Sequence, residues 1–111
     1  MSQKLSLIAQ ARHQLRLAAD ADSGRSAKTI HGGHERALRQ TVIALIGQHR
    51  LEEHNNPGEA TINVIQGHIR LVSGTTVWEG LPGDFLIVPP GRNAIEAVDD
   101  SAFLLTVVKS L

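Results

Sequence analysis

The sequence predicts an all-β domain, a double-stranded jelly-roll barrel, preceded by one N-terminal α-helix. Three observations carry this. Helical periodicity is confined to the first part of the chain, before Gly24. Beyond it lie eight or nine short apolar or alternating runs, punctuated by glycine and proline turns at regular intervals. Two stretches then mirror each other: His54–Gly67 runs from a polar loop into a strand and ends on glycine, and Gly83–Ala94 runs from a glycine turn through Phe85–Val88 to Pro89-Pro90-Gly91.

The 111 residues suffice for one domain with one modest core. Only Trp78, Phe85 and Phe103 are aromatic, so that core must be aliphatic. The absence of cysteine excludes disulfides, thiolate metal sites and cysteine nucleophiles. No apolar run approaches the roughly 20 residues that span a bilayer, and no signal-peptide pattern follows Lys4. A cytoplasmic protein without a membrane partner is expected. Net charge is zero but divided, with eight Lys/Arg against three acids in residues 1–50 and three against eight in residues 51–111. That asymmetry suits attraction between the halves, within a chain or across a dimer; a nucleic-acid role for the basic half is the alternative.

In chain order, residues 3–19 read as a helix whose stripe is Leu7, Ile8, Ala11, Leu15 and Ala18. Ser2 is the expected N-cap and Asp22-Ser23-Gly24 the stop. The stripe should pack on the domain or on a second subunit. A lone helix is no helix-turn-helix, so no DNA-reading module is evident. Ser26–Ile30 is a candidate strand, and His31-Gly32-Gly33-His34 a flexible turn whose histidines are not preorganised for a metal. Arg36–Ile46 is a long strand, apolar on both faces from Val42 onward, as in a sandwich core. Gly47–Arg50 is a turn, and Leu51–Glu53 leads into His54. The strands Ala60–Gln66, His68–Val72, Thr75–Glu79, Asp84–Val88, Asn93–Val98 and Ala102–Lys109 follow. In His68–Val72, Ile69 and Leu71 share one face and His68, Arg70 and Val72 the other. Residues 1–24 thus form helix and linker, and residues 25–111 the barrel.

The two mirrored stretches resemble the paired signature motifs of the cupin family, over roughly residues 36–108. In the first motif, His54, Asn56, Ala60 and Gly67 stand at the spacing of histidine, histidine, glutamate and glycine. In the second, Gly83, Pro89, Gly91 and Ala94 stand at that of glycine, proline, glycine and histidine. The resemblance implies a small, single-domain, RmlC-like bacterial cupin. Its usual metal, iron, manganese, nickel or zinc, is held by three histidines and one glutamate. Of those four positions only His54 keeps a good ligand here. Asn56 offers a weak amide oxygen, and Ala60 and Ala94 offer nothing. No cofactor is therefore expected; any divalent transition metal would have to start from His54.

Other residues bear on the site. Glu59 would need a bulge to point inward, since a shift of one residue reverses the face. Glu96 shares a strand face with Ala94; if that face is the interior, Glu96 and His54 form an acid/base pair. If it is not, Glu96 is a surface residue neutralised by Arg39 or Arg92. Asn93 is placed at the rim, and Trp78 is either a pocket wall or a subunit contact. The expected ligand-binding set is thus His54, Asn56, Trp78, Asn93 and Glu96, with His54 and Glu96 the catalytic candidates. The function expected is a non-catalytic or regulatory homodimer that binds a small molecule in the barrel. The alternatives are a divergent enzyme, with an atypical metal site or the His54/Glu96 pair, and a nucleic-acid-associated accessory protein.

Overall fold

The computed structural model describes residues 3–52 and 58–109. Among the described residues, helix α1 spans Leu7–Asp20, and nine strands follow: β1 Arg25–His31, β2 Leu38–Leu45, β3 Arg50–Glu52, β4 Gly58–Gln66, β5 Ile69–Ser73, β6 Thr76–Gly80, β7 Phe85–Ile87, β8 Ala94–Ala97 and β9 Ser101–Lys109. They form two sheets, ordered β1-β2-β9-β4-β7 and β3-β8-β5-β6. Every pairing is antiparallel. This is the expected jelly roll with its leading helix. No described helix is long and apolar enough to cross a membrane.

Between the sheets lies an aliphatic core around one aromatic. Leu45, Ile62, Ile69 and Phe103 are fully buried, and Leu71 and Ile95 nearly so. The alternation read in β5 holds, with Ile69 and Leu71 in the core and Arg70 exposed. The doubly apolar run in β2 has a simple cause. Ile43 and Leu45 face the barrel core, whereas Ala44 faces a second cluster beneath α1. β9 divides likewise, Phe103 to the core and Ala102 to the helix.

The helix is shorter than its periodicity predicts. Its N-cap is Ser6, whose hydroxyl accepts the Ala9 N–H at 3.1 Å. A side-chain oxygen there satisfies one of the N–H groups that a helix start leaves free, so the helix begins at Leu7. Ser2 lies outside the described residues. The stripe is shifted too. Ala11, Gln14 and Ala18 are buried, Leu15 is half-buried, and Leu7 and Ile8 are 37% and 64% exposed. Small residues on both surfaces allow close approach: Ala11 and Ala18 meet Ala44 and Ala102. Gln14 is accommodated because its Oε1 accepts the Ser26 hydroxyl at 2.5 Å. The helix therefore packs within its own chain. Ala18→Leu is expected to cost about 1–3 kcal/mol by overpacking this seam, read as a lower urea midpoint with an unchanged slope. An unchanged midpoint would mean that the helix does not hold this position in solution.

The strand β3 replaces part of the turn predicted over residues 47–50. That turn is confined to Gly47–His49, where Gln48 adopts a left-handed φ of 74°. Its backbone N–H reaches the Ala97 carbonyl at 2.8 Å, and its side-chain amide donates to the Val98 carbonyl at 3.1 Å. This pinned turn delivers Arg50, Leu51 and Glu52 alongside Glu96, Ile95 and Ala94. Long-range pairing makes a strand of three residues too few to show a period.

Candidate functional site

His54 and Asn56 lie outside the described residues, as does Pro57. The first stretch enters the structure as β4. There Ala60 belongs to the core, beside Val88 and Val107 in the same cluster, and its carbonyl accepts the Val88 N–H at 3.0 Å. Glu59 pairs in register with Val108 and is exposed. The irregularity of β4 against β9 falls between Val64 and Gln66. No bulge turns Glu59 inward.

In the second stretch, Gly83 and Gly91 take left-handed φ values of 90° and 94° around β7. Asn93, just before β8, is only 4% exposed. Its side-chain NH2 donates to the Pro89 carbonyl at 2.9 Å and the Gly91 carbonyl at 3.2 Å, so it ties the proline turn together. The other end of the amide, Oδ1, is buried without a hydrogen-bond partner among the described residues. Leaving such an acceptor unsatisfied costs about 1–3 kcal/mol.

β8 decides the orientation of Glu96. Ile95 pairs with Leu51 on one side and Leu71 on the other, and all three pack in the core. The alternate row therefore faces outward: Ala94 with Glu52 and Val72, and Glu96 with Arg50 and Arg70. The face shared by Ala94 and Glu96 is not the barrel interior. Arg50 bonds Glu96 through Nη1 and Glu52 through Nε, the latter at 2.6 Å. The neutralising residue is thus Arg50, rather than Arg39 or Arg92. The charged row continues across the sheet, where Arg70 Nε meets Glu79 Oε2 at 3.0 Å and His68 Nε2 meets Glu79 Oε1.

The hydrogen bond from His68, followed by the contact with Arg70, holds the Glu79 carboxyl below its ordinary value. A depressed carboxyl adds stability that is present above its unfolded pKa and is lost as pH falls through its folded one. Glu79 is solvent-exposed, so the expected readout is local. Its carboxyl resonance should titrate below the ordinary glutamate range, and His68→Phe should raise that midpoint more than Arg70→Gln does. A Glu79 midpoint at the ordinary value would contradict the network.

At one end of this sheet is a cleft of about 380 Å³. β3 supplies Arg50 and Glu52, β8 supplies Ala94, and Val72 and Gly74 come from β5 and the turn after it. Arg92 and Asn93 complete the wall. A second cleft of about 300 Å³ lies over His49, Arg70 and Glu96. The first cleft thus unites one expected residue, Asn93, with three that sequence reasoning missed: Arg50, Glu52 and Arg92. The charge–apolar–charge order of Arg50-Leu51-Glu52 was the available signal for the first two. Glu96 reaches the rim of the second cleft only. Trp78 pairs with Leu71 on β6, is 39% exposed and lines neither cleft.

Ala60 and Ala94 do not fit the four-ligand metal centre of the cupin motifs. Both side chains lack a donor atom, and Ala94 lies in the outward row whereas Ala60 is in the core. Among the described residues, no three His, Asp or Glu side chains come together at a distance suited to a metal ion.

The shape of the chain has clear counterparts. A conserved protein of unknown function from Streptococcus pyogenes superposes with a TM-score of 0.75 at 20% identity, over 100% of this chain and 90% of its own. A cupin superfamily protein from Desulfitobacterium hafniense gives 0.72 at 14% identity, over 85% and 88% of the two chains. The Cupin_2 domain of an XRE family transcriptional regulator from Enterobacter cloacae gives 0.69 at 11% identity, over 78% and 98%. No family model matches the sequence, and no curated protein matches it. At these identities the likeness is one of fold: the chain has the jelly-roll fold of these cupins, and its function must be argued from its own residues.

Proposed function

We propose that this cupin-fold chain is a non-catalytic binding protein, which holds a small molecule in the cleft of Arg50, Glu52, Arg92 and Asn93 without the metal centre usual to the fold. The observation that carries this is the cleft of about 380 Å³ itself, walled by the charged side chains of Arg50, Glu52 and Arg92 and by Asn93, whose amide is fixed on the proline turn. Pockets of a few hundred Å³ with a few convergent polar groups are what small-molecule sites look like. The enzymatic alternative through His54 and Glu96 is weakened by the outward, ion-paired setting of Glu96.

Amide chemical shifts of labelled protein, followed through a panel of small acids, amines and neutral sugars, test the binding. Perturbations should cluster at residues 50–52, 72–74 and 92–94. Metal analysis tests the remainder. Stoichiometric iron, manganese, nickel or zinc in purified protein, lost in His54→Ala, would overturn the proposal.

The proposal includes a second copy of the chain as partner. The Ala11 and Ala18 face of α1 is covered within its own chain and needs no subunit against it. A different surface supports association: Val77, Trp78, Phe85 and Ile87, on the edge strands β6 and β7, are 39–73% exposed, and edge strands invite pairing. Light scattering at micromolar concentration should give twice the monomer mass; a monomer would remove the dimer from the proposal.

A further inference from the structure

The charges around the cleft are unevenly committed, and this narrows its ligand. Arg50 is held by two carboxylates, those of Glu52 and Glu96. Arg92 is exposed and makes no ion pair among the described residues. An uncommitted guanidinium offers a fork of N–H donors that matches a carboxylate. One accessible acceptor stands with it. Glu52 gives only Oε1 to Arg50, and its side chain is 73% exposed.

These features select by charge. A phosphate or other compact polyanion would be drawn to Arg92 but repelled by Glu52. A simple amine would be drawn to Glu52 but repelled by Arg92. A molecule with a carboxylate and, beside it, a hydroxyl or ammonium group satisfies both sides: the carboxylate meets Arg92, and the donor meets Glu52. Val72, Gly74 and Ala94 add a wall of small side chains, which leaves room for a short substituent.

Resting on the binding reading above, we infer that the cleft takes a small hydroxy- or amino-carboxylate, recognised by Arg92 through its carboxylate and by Glu52 through its neighbouring donor. The test uses the full chain, with glycolate and L-serine as probes, propionate as the acid without a donor, and inorganic phosphate and glucose as representatives of other classes. Glycolate or L-serine should shift the amide signals of residues 50–52 and 92–94, and bind at least tenfold more tightly than propionate. Arg92→Ala should weaken that binding at least tenfold without moving the thermal midpoint, because Arg92 is exposed and outside the ion pairs of the described residues. Glu52→Gln should weaken L-serine more than glycolate, since only the ammonium carries a charge. Propionate binding as tightly as glycolate would overturn the role of the donor. Glucose or phosphate binding in the cleft, with the two acids silent, would overturn the ligand class and leave the binding reading intact. No shift in the cleft with any probe would overturn both.

Discussion

Replacing Phe103 with alanine is expected to cost about 3–5 kcal/mol, the range for deleting a buried aromatic side chain. Phe103 is fully buried, and its strand β9 lies between β2 and β4, where Phe103 pairs in register with Ile43 and Val64. The surrounding residues are aliphatic and held by both sheets, so they can collapse only partly into the space left behind. A domain of this size has about 5–15 kcal/mol in all. The variant should therefore lose much of its resistance to urea, and Phe103→Leu, closer in volume, should lose far less. A loss below about 1 kcal/mol for the alanine variant would mean that the two sheets do not close on Phe103 as described.

Gly67→Ala should be similarly damaging for a different reason. Gly67 has a left-handed φ of 91°, and a Cβ there would collide with the Ser101 hydroxyl and the Asp100 carbonyl. Ser101 is itself fully buried, and its hydroxyl accepts the His68 N–H at 3.0 Å while lying 2.6 Å from the Asp99 carbonyl, to which it donates. Backbone strain and steric overlap together are expected to cost about 2–4 kcal/mol. Gly74→Ala is the control. Its φ is 59° and nothing lies within 4 Å of the place a Cβ would take, so only the backbone preference, about 1 kcal/mol, should be lost. Equal losses at the two positions, measured by urea denaturation, would show that the close approach to Ser101 contributes nothing.

Gly67 also shows why so much of the fold was legible. A glycine that ends an apolar run, another turn signal a few residues on, and strict alternation in Ile69-Arg70-Leu71 are local features, and a local feature leaves its mark in the sequence. The apolar double face of β2 was readable for the same reason, since Val42–Ile46 carries both surfaces in consecutive residues. The helix was legible as a helix, but its boundary and buried face were not. Ser2 was the expected cap, whereas the structure uses Ser6. Which side of an amphipathic helix is buried depends on the surface it meets, and here small alanines on the sheet favour Ala11 and Ala18 over Leu7 and Ile8.

The site was less legible still. Glu96 and Ala94 could be put on one strand face from their spacing, yet nothing in that spacing says whether the face looks inward. The pairing of Ile95 with Leu51 and Leu71 settles it, and those partners are more than twenty residues away in sequence. Arg50 and Glu52 were passed over because a three-residue strand has no period of its own.

By itself, then, the sequence determined the all-β class, the leading helix, the turns marked by glycine and proline, the aliphatic character of the core and the lack of donor atoms at Ala60 and Ala94. Each depends on residue type or on neighbours a few positions apart. Tertiary structure alone decided that α1 packs within its own chain, that Glu96 faces outward against Arg50, and that Arg50, Glu52, Arg92 and Asn93 meet at one cleft. Those outcomes depend on register between distant strands, which two sheets must jointly satisfy when they close on a common core.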